Sequence, residues 1–294
     1  MLSILIPTYN YDVTNLVFEL HKQCEIAGIP YEIIIRDDFS EKEYKSINGK
    51  LSELTNCLYK VNERNLGRTM TRKRLAEEAV YEMLLFLDAD VIPVTTDYIK
   101  TYLPYISKKL PVIFGGIAYK SGSENNNTAL RLKYGREREQ KSAKERKKNP
   151  YGLLFSANLL VSKDVFLENN YSKNENLYGM DVFFSYMLYK NNVPVIHVDN
   201  PVYHIGLEDD SIYFEKSLKS VSVKKNLLTD VKDIENINSL LKHYNNLKKY
   251  HLLGITKFFF KMGEPLLKKM ILSKNPNLFC LDLYKLGYIC SLKN

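Results

Sequence analysis

Short apolar runs alternate with stretches of helical spacing along the first third of the chain. Residues 2–6 (LSILI) stop at Pro7, which suits a buried strand and not a helix. Leu16, Leu20, Cys24 and Ala27 share one face of a helix predicted over about 15–27. A second strand, 31–36, ends in Asp37-Asp38. A helix over about 41–54, a strand over 57–62 and a helix over 68–82 follow. The fourth strand, Met83-Leu-Leu-Phe-Leu87, ends in Asp88-Ala-Asp90. This strand–helix rhythm predicts an α/β fold whose mostly parallel sheet is flanked by helices. Ligands of such sheets bind beyond the carboxyl ends of the strands. Thr8, Tyr9 and Asn10, then Asp37 and Asp38, then Asp88 and Asp90 should therefore meet along one edge.

The texture changes after residue 112. Residues 113–119 read as a strand with an internal Gly pair, and 121–127 (SGSENNN) as a polar loop. Further strands are predicted over 153–161 and 193–198, with a helix over 178–190. From about 211 onward the chain reads as helices with Lys and Asn outside. The divisions that follow are 1–115, 116–235 and a Lys-rich helical extension over 236–294.

Charge sharpens this division. The chain of 294 residues carries 42 Lys plus Arg against 34 Asp plus Glu, a net +8. Residues 241–294 hold ten Lys against Glu264 and Asp282, which is 10 − 2 = +8, so the first 240 residues sum to zero. The basic tail carries no recognised nucleic-acid module, and its lysines alternate with bulky apolar residues, which argues against nucleic acid as a partner. Pro265 argues against one long helix lying on a membrane surface. Two readings of the tail stay open: packing on the core with Lys outward, or peripheral contact with an anionic membrane. Cys24, Cys57, Cys280 and Cys290 form no CxxC and read as reduced thilos of a cytoplasmic protein, bound peripherally, in the second reading, to the inner face of the cell membrane.

Asp-x-Asp at a strand end puts two carboxylates on one side of the pleat, where a hard divalent cation, Mn²⁺ or Mg²⁺, relieves their repulsion. Taken singly, such a triplet is more often a solvated loop. Asp38 is equally compatible with a turn, Arg72 with a solvated helix face, and a lone His204 with a structural role. Their order along the chain carries more than any one of them.

Ile6-Pro-Thr-Tyr-Asn10, Arg36-Asp-Asp-Phe-Ser40, Asn65-Leu-Gly-Arg-Thr-Met-Thr-Arg72 and Phe86-Leu-Asp-Ala-Asp90 resemble the successive motifs of family 2 glycosyltransferases. The resemblance covers the first 120 or so residues well and extends more loosely to about 220. It implies a GT-A fold and an inverting, metal-dependent transfer from a nucleotide-sugar, with UDP-sugars the expected donors. Carried over, it places Pro7, Thr8, Tyr9, Asp38, Arg72 and Asp88 against the nucleotide, and Asp90 with His204 on the metal. Leu177-Tyr-Gly-Met-Asp181 resembles the family's Gly-x-Glu-Asp segment, which makes Asp181 the general base; Met180 departs from that pattern. Arg131, Arg136 and Arg138 fall in the acceptor-side region, where a mobile basic segment would meet phosphates. The acceptor implied is a glycan or lipid-linked hydroxyl in polysaccharide biosynthesis, the sugar a hexose or N-acetylhexosamine. A sugar nucleotidyltransferase would carry a Gly-rich loop after the first strand, and a phosphatase would carry its aspartates there. A catalytically impaired, membrane-associated scaffold that binds nucleotide remains the alternative, because of Met180.

Overall fold

The computed structural model describes residues 1–122, 125, 127–173 and 175–293. Parts of the polar loop expected at 121–127 (residues 123, 124 and 126) lie outside the described residues.

β1 (Leu2–Thr8), α1 (Thr14–Ala27), β2 (Tyr31–Asp37), α2 (Lys42–Gly49), β3 (Cys57–Val61), α3 (Arg68–Glu78) and β4 (Met83–Leu87) follow the predicted rhythm closely. β5 (Val91–Pro93) starts one residue after Asp90, and α4 (Tyr98–Ser107) covers the sheet beside α1. The strand expected over 113–119 is split into β6 (Val112–Phe114) and β7 (Ile117–Ala118). The Gly pair between them is the reason. A Cβ on Gly115 would lie 2.2 Å from the Tyr102 hydroxyl, and one on Gly116, at φ +96°, would lie 2.5 Å from Arg146 Nη1. The chain can cross from one sheet to another only because nothing projects there.

α5 (Ala129–Tyr134) and α6 (Ala143–Arg146) follow, with one π-helical turn at Gly135–Glu139 between them. β8 (Asn158–Ser162) begins five residues later than expected; α7 (Lys163–Asn169), α8 (Asp181–Lys190), β9 (Val195–His197) and β10 (Val202–His204) come next. The last quarter is helical: α9 (Asp210–Leu228), α10 (Ser239–Lys249), α11 (Leu253–Ile271) and α12 (Leu278–Ser291).

Among the described residues the main sheet has seven strands in the order β3-β2-β1-β4-β8-β6-β9. β1 to β4 are parallel, while β8 runs antiparallel to both β4 and β6. The fold is therefore the mostly parallel α/β sheet that the pattern predicts, with a helical C-terminal region. Ile4, Ile6, Ile33, Ile35 and Leu85 face one apolar layer, and Leu5, Ile34, Leu84 and Phe86 the other, all essentially fully buried. Two-sided burial explains why these strands read as continuous apolar runs.

A second sheet, β5-β10-β7, forms a small platform beyond the strand ends. Asn158 locks the junction. Its Oδ1 accepts from the hydroxyls of Tyr98 (2.6 Å) and Tyr102 (2.7 Å), and its Nδ2 donates to the carbonyls of Gly116 (2.8 Å) and Asn200 (2.9 Å). All four bonding positions of this buried amide are filled, which fixes the two sheets relative to each other.

Candidate active site

The loops after β1, β2 and β3 are tied together by their backbones. Asp38 N donates to the Thr8 carbonyl and Asn62 N to that of Asp37, both at 2.8 Å. Asn10, at φ +49°, receives Glu41 N on its Oδ1 (2.8 Å) and donates its own N–H to Ser40 Oγ (2.7 Å). Asp38 is buried and accepts from Asn62 Nδ2, Leu66 N and Gly67 N, each at 2.8 Å. Three of its roughly four acceptor positions thus hold the turn that launches α3. Gly67 opens that helix at φ +81°, and a Cβ there would sit 2.1 Å from Asn176 Oδ1.

α3 then carries Arg72 and Arg68 toward the Asp-x-Asp pair. Arg72 is buried, and its Nη2 bonds Asp88 Oδ1 at 2.5 Å. Burial pushes the Asp88 carboxyl up, but Arg72 and Arg68 outweigh it and hold the group below the usual carboxylate range. Asp90 behaves oppositely. Burial, reinforced by Asp88, holds its carboxyl above the usual range against the pull of His204 and Arg68. His204 reaches Asp90 because β10 pairs with β5: His204 lies opposite Val91 in register, and Ile205 N donates to the Asp90 carbonyl at 2.9 Å. His204 Nε2 stands 3.5 Å from Asp90 Oδ2. Gly206 passes so close that a Cβ would meet Asp90 Cβ at 2.6 Å.

Two adjoining cavities open on these residues. The larger, about 560 Å³, is lined by Pro7, Thr8, Tyr9, Asp38, Arg72, Asp88 and Asp90, with Tyr11, Arg68, Tyr178, Glu208 and Lys216. It is of the size that small-molecule sites occupy. The smaller, about 130 Å³, shares Arg68, Asp88, Asp90, Tyr178 and Glu208 and adds Asp181, His204 and Arg131. Every residue predicted for the nucleotide, the metal or the general base lines one of these two adjoining spaces, as does Arg131, whereas Arg136 and Arg138 line neither. Asp181 opens α8, and its Oδ1 accepts from Ser156 Oγ at 2.8 Å. The helix starts there, three residues later than predicted, after Gly179 at φ +79°. Met180 is buried and lines neither cavity.

The basic segment 131–148 is pinned rather than loose. Arg131 bonds Glu139 (3.1 Å) and lies over the rings of Tyr119 and Tyr213; Arg138 pairs with Asp282 of α12 (2.8 Å). Arg136 Nη2 donates to the Lys120 carbonyl (2.8 Å), and the buried Arg146 to that of Val198 (2.6 Å). Carboxylates and carbonyls thus hold Arg131, Arg136, Arg138 and Arg146 in place. His197 is structural: it receives Arg146 Nε on Nδ1 at 3.2 Å, and its Nε2 lies 2.8 Å from the Pro150 carbonyl.

Sequence reasoning passed over Arg68, Tyr178, Glu208 and Lys216. Arg68 faces the carboxylates of Asp88, Asp90 and Glu208 and lies over the Tyr178 ring at 5.9 Å; Lys216 is ion-paired with Glu208. Arg68 and Tyr178 both stood inside quoted motifs, which was their only signal.

For a divalent cation, Asp90 and His204 are the suited donors. Asp90 is half-buried with a carboxylate short of positive charge, and Asp88 is already committed to Arg72. Among the described residues no group of three or more His, Cys, Asp or Glu is arranged to hold a metal. Two protein donors fit an ion that takes its remaining ligands from phosphate oxygens and water.

The sequence matches the family model for Glycosyl transferase family 2 over residues 3–167, more than half the chain. The chain belongs to glycosyl transferase family 2. No curated protein sequence matches it. Among solved structures, S. aureus TarS aligns at 18% identity over 84% of this chain and 43% of that one, with a TM-score of 0.55. This member thus spans less than half of that TarS chain. TarS 1–349 in complex with UDP-GlcNAc aligns at 16% identity, 98% and 89% coverage and TM-score 0.53. The mannosyltransferase PcManGT from Pyrobaculum calidifontis, in complex with GDP-Man and Mn²⁺, gives 11%, 98% and 85%, and 0.59. At these identities the likeness is one of fold, and it establishes the GT-A architecture for this family 2 chain.

Proposed function

We propose that this family 2 member is an inverting glycosyltransferase that moves a sugar from a nucleotide diphosphate, with UDP the preferred carrier, to a hydroxyl of a glycan or lipid-linked acceptor. The observation that carries this is the sharing of Arg68, Asp88, Asp90 and Tyr178 between the two cavities, with Asp38 and Tyr9 on one and Asp181 on the other. The larger space takes the nucleotide and the smaller one brings the acceptor hydroxyl to the anomeric carbon. Residues 1–115 supply the donor side, 116–235 the acceptor side and 236–294 an extension.

In this scheme Tyr9, 54% exposed at the cavity mouth, offers its ring to the base, and Pro7 and Thr8 bound it. The remaining acceptor position of Asp38 takes the base N–H. Asp181, held by Ser156, takes the acceptor proton as its oxygen attacks the sugar from the face opposite the diphosphate. Arg68 offsets charge on the leaving diphosphate, and Arg72 keeps Asp88 ionised to meet the ribose. Bound at Asp90 and His204, a Mn²⁺ or Mg²⁺ ion supplies further stabilisation of diphosphate charge. Four unpaired cysteines fit a reducing compartment such as the cytoplasm.

A panel of UDP- and GDP-sugars, scored by release of the free nucleotide diphosphate with and without Mn²⁺, tests the proposal. Cation-dependent UDP release from one or two donors supports it. Tight UDP binding without turnover of any donor or acceptor would instead select the scaffold reading.

A further inference from the structure

The helical extension carries an apolar face that its own fold leaves uncovered. α11 runs unbroken for 19 residues through Pro265, contrary to the break expected there. Its inner side is buried: Phe260 packs edge-on to Tyr284 at 5.0 Å and so closely over α12 that a Cβ on Gly287 would lie 2.2 Å away. The opposite side presents Ile255, Phe258 (61% exposed), Phe259 (64%), Met262 (69%) and Leu266 (63%). Their spacing of three and four residues sets them along one stripe. Lys257, Lys261 and Lys268 follow one flank of it, and Lys269 falls within it. On α12, Phe279 and Leu283 are exposed as well. Scattered surface phenylalanines are ordinary; a contiguous stripe of five large apolar residues marks a contact.

Charge decides what makes the contact. The only acids of residues 241–294 are already engaged: Glu264 accepts from the Tyr284 hydroxyl at 2.7 Å, and Asp282 pairs with Arg138. The flank beside the stripe therefore carries Lys257, Lys261 and Lys268 against the single carboxylate of Glu264, and stays positive in sum. A second copy docked face to face would bring two such lysine rows together. A surface both apolar and anionic satisfies apolar stripe and lysine flank at once. We propose that α11 lies in the headgroup layer of an anionic lipid bilayer, with Phe258, Phe259, Met262 and Leu266 inserted and the lysines among the lipid phosphates. No helix among the described residues is long and apolar enough to cross a membrane, so this would be attachment in the plane of the interface. The face is separate from the two cavities, so the proposal stands or falls independently of the donor.

Co-sedimentation with vesicles of phosphatidylcholine containing about 30% phosphatidylglycerol, against phosphatidylcholine alone, tests it. The full chain should sediment with the anionic vesicles and be released by about 0.5 M NaCl. Phe258→Ser/Phe259→Ser should weaken binding at least about tenfold, and Lys257→Gln/Lys261→Gln/Lys268→Gln should abolish the preference for anionic lipid. Phe258 and Phe259 are exposed, so the serine variant should keep the wild-type circular dichroism spectrum and thermal midpoint; Lys257 is half-buried and Lys268 lies over the Phe214 ring at 5.8 Å, so the lysine variant is compared at matched folded fraction. Wild-type protein that ignores anionic vesicles, or a double serine variant that binds as well as wild type, overturns the proposal. So does a wild-type dimer by analytical ultracentrifugation that the same substitutions convert to monomer.

Discussion

Replacing Asp181 with Asn is the sharpest perturbation of the proposed chemistry. Asparagine keeps an Oδ1 that can accept from Ser156 Oγ, as Asp181 does at 2.8 Å, so the side chain stays in place and only its ability to take a proton goes. Loss of a positioned general base costs about 10²–10⁴ in rate, about 3–5 kcal/mol of barrier. Asp181 lines the smaller cavity and not the larger, so nucleotide affinity should stay within about twofold, well under 1 kcal/mol. Ser156→Ala leaves the carboxylate but removes one hydrogen bond that orients it, which predicts a loss of about tenfold in kcat. The assay is UDP release at saturating donor, with UDP affinity measured in parallel by calorimetry. An Asp181→Asn protein within tenfold of wild type would refute the assignment of the base. A variant that keeps its turnover but binds UDP poorly would place Asp181 in the donor site instead.

Arg72→Met should destabilise the fold by about 3 kcal/mol in urea melts, because Asp88 then loses its hydrogen-bonded partner and keeps only the more distant pull of Arg68 and His204 in a half-buried site. Asp90→Asn should do the reverse without metal. A carboxyl held above its unfolded value stabilises the fold only when protonated, so at neutral pH its charge is a cost that the amide removes; the thermal midpoint rises while any shift caused by Mn²⁺ disappears. Burial pushes the Lys285 ammonium down to about 7, with Lys224 adding repulsion, and the group lies over the Tyr134 ring at 4.8 Å. The unfolded chain then binds more protons than the folded one from about pH 7 to 10, so stability rises with pH across that window. Lys285→Met should therefore raise the midpoint at pH 6 and lose that advantage by pH 10, as read by scanning fluorimetry.

Much of the site was legible because the strands announce themselves. β1, β2 and β4 are buried on both faces, so each reads as an apolar run that stops where the chain meets the cleft, at Thr8, Asp37 and Asp88. Resemblance to the family motifs suggested His204 and Asp181, which local pattern alone leaves as one more histidine and one more helix-start acid. What stayed hidden depends on pairing distant in sequence. Glu208 reaches the Asp-x-Asp pair only because β10 docks on β5, more than 100 residues upstream. Arg131 looked free because Glu139 lies eight residues away, beyond ordinary helical pairing, and only the π-helical turn at Gly135–Glu139 brings the two together. Pro265 misled for a related reason. Packing of α11 on α12 sustains the helix across a residue that intrinsic propensity would make a break.

The two aspartates of Asp-x-Asp, alike in sequence, are made unlike by their neighbours. Asp88 faces Arg72 from α3 and is stabilised as an anion within the protein; Asp90 faces His204 from β10 and is left short of positive charge. Were both paired with arginine, the cleft would hold its charge internally and have little reason to recruit a cation. Were neither paired, two half-buried carboxylates would repel and one would protonate. The split leaves one carboxylate ionised before substrate arrives and one whose ionisation is favoured by a divalent ion. Under the proposed function, it also makes the edge between the two sheets, not the motif alone, the element that would set metal affinity. Gly206 is the constriction at that edge: with any side chain there, the strand bearing His204 could not sit against Asp90.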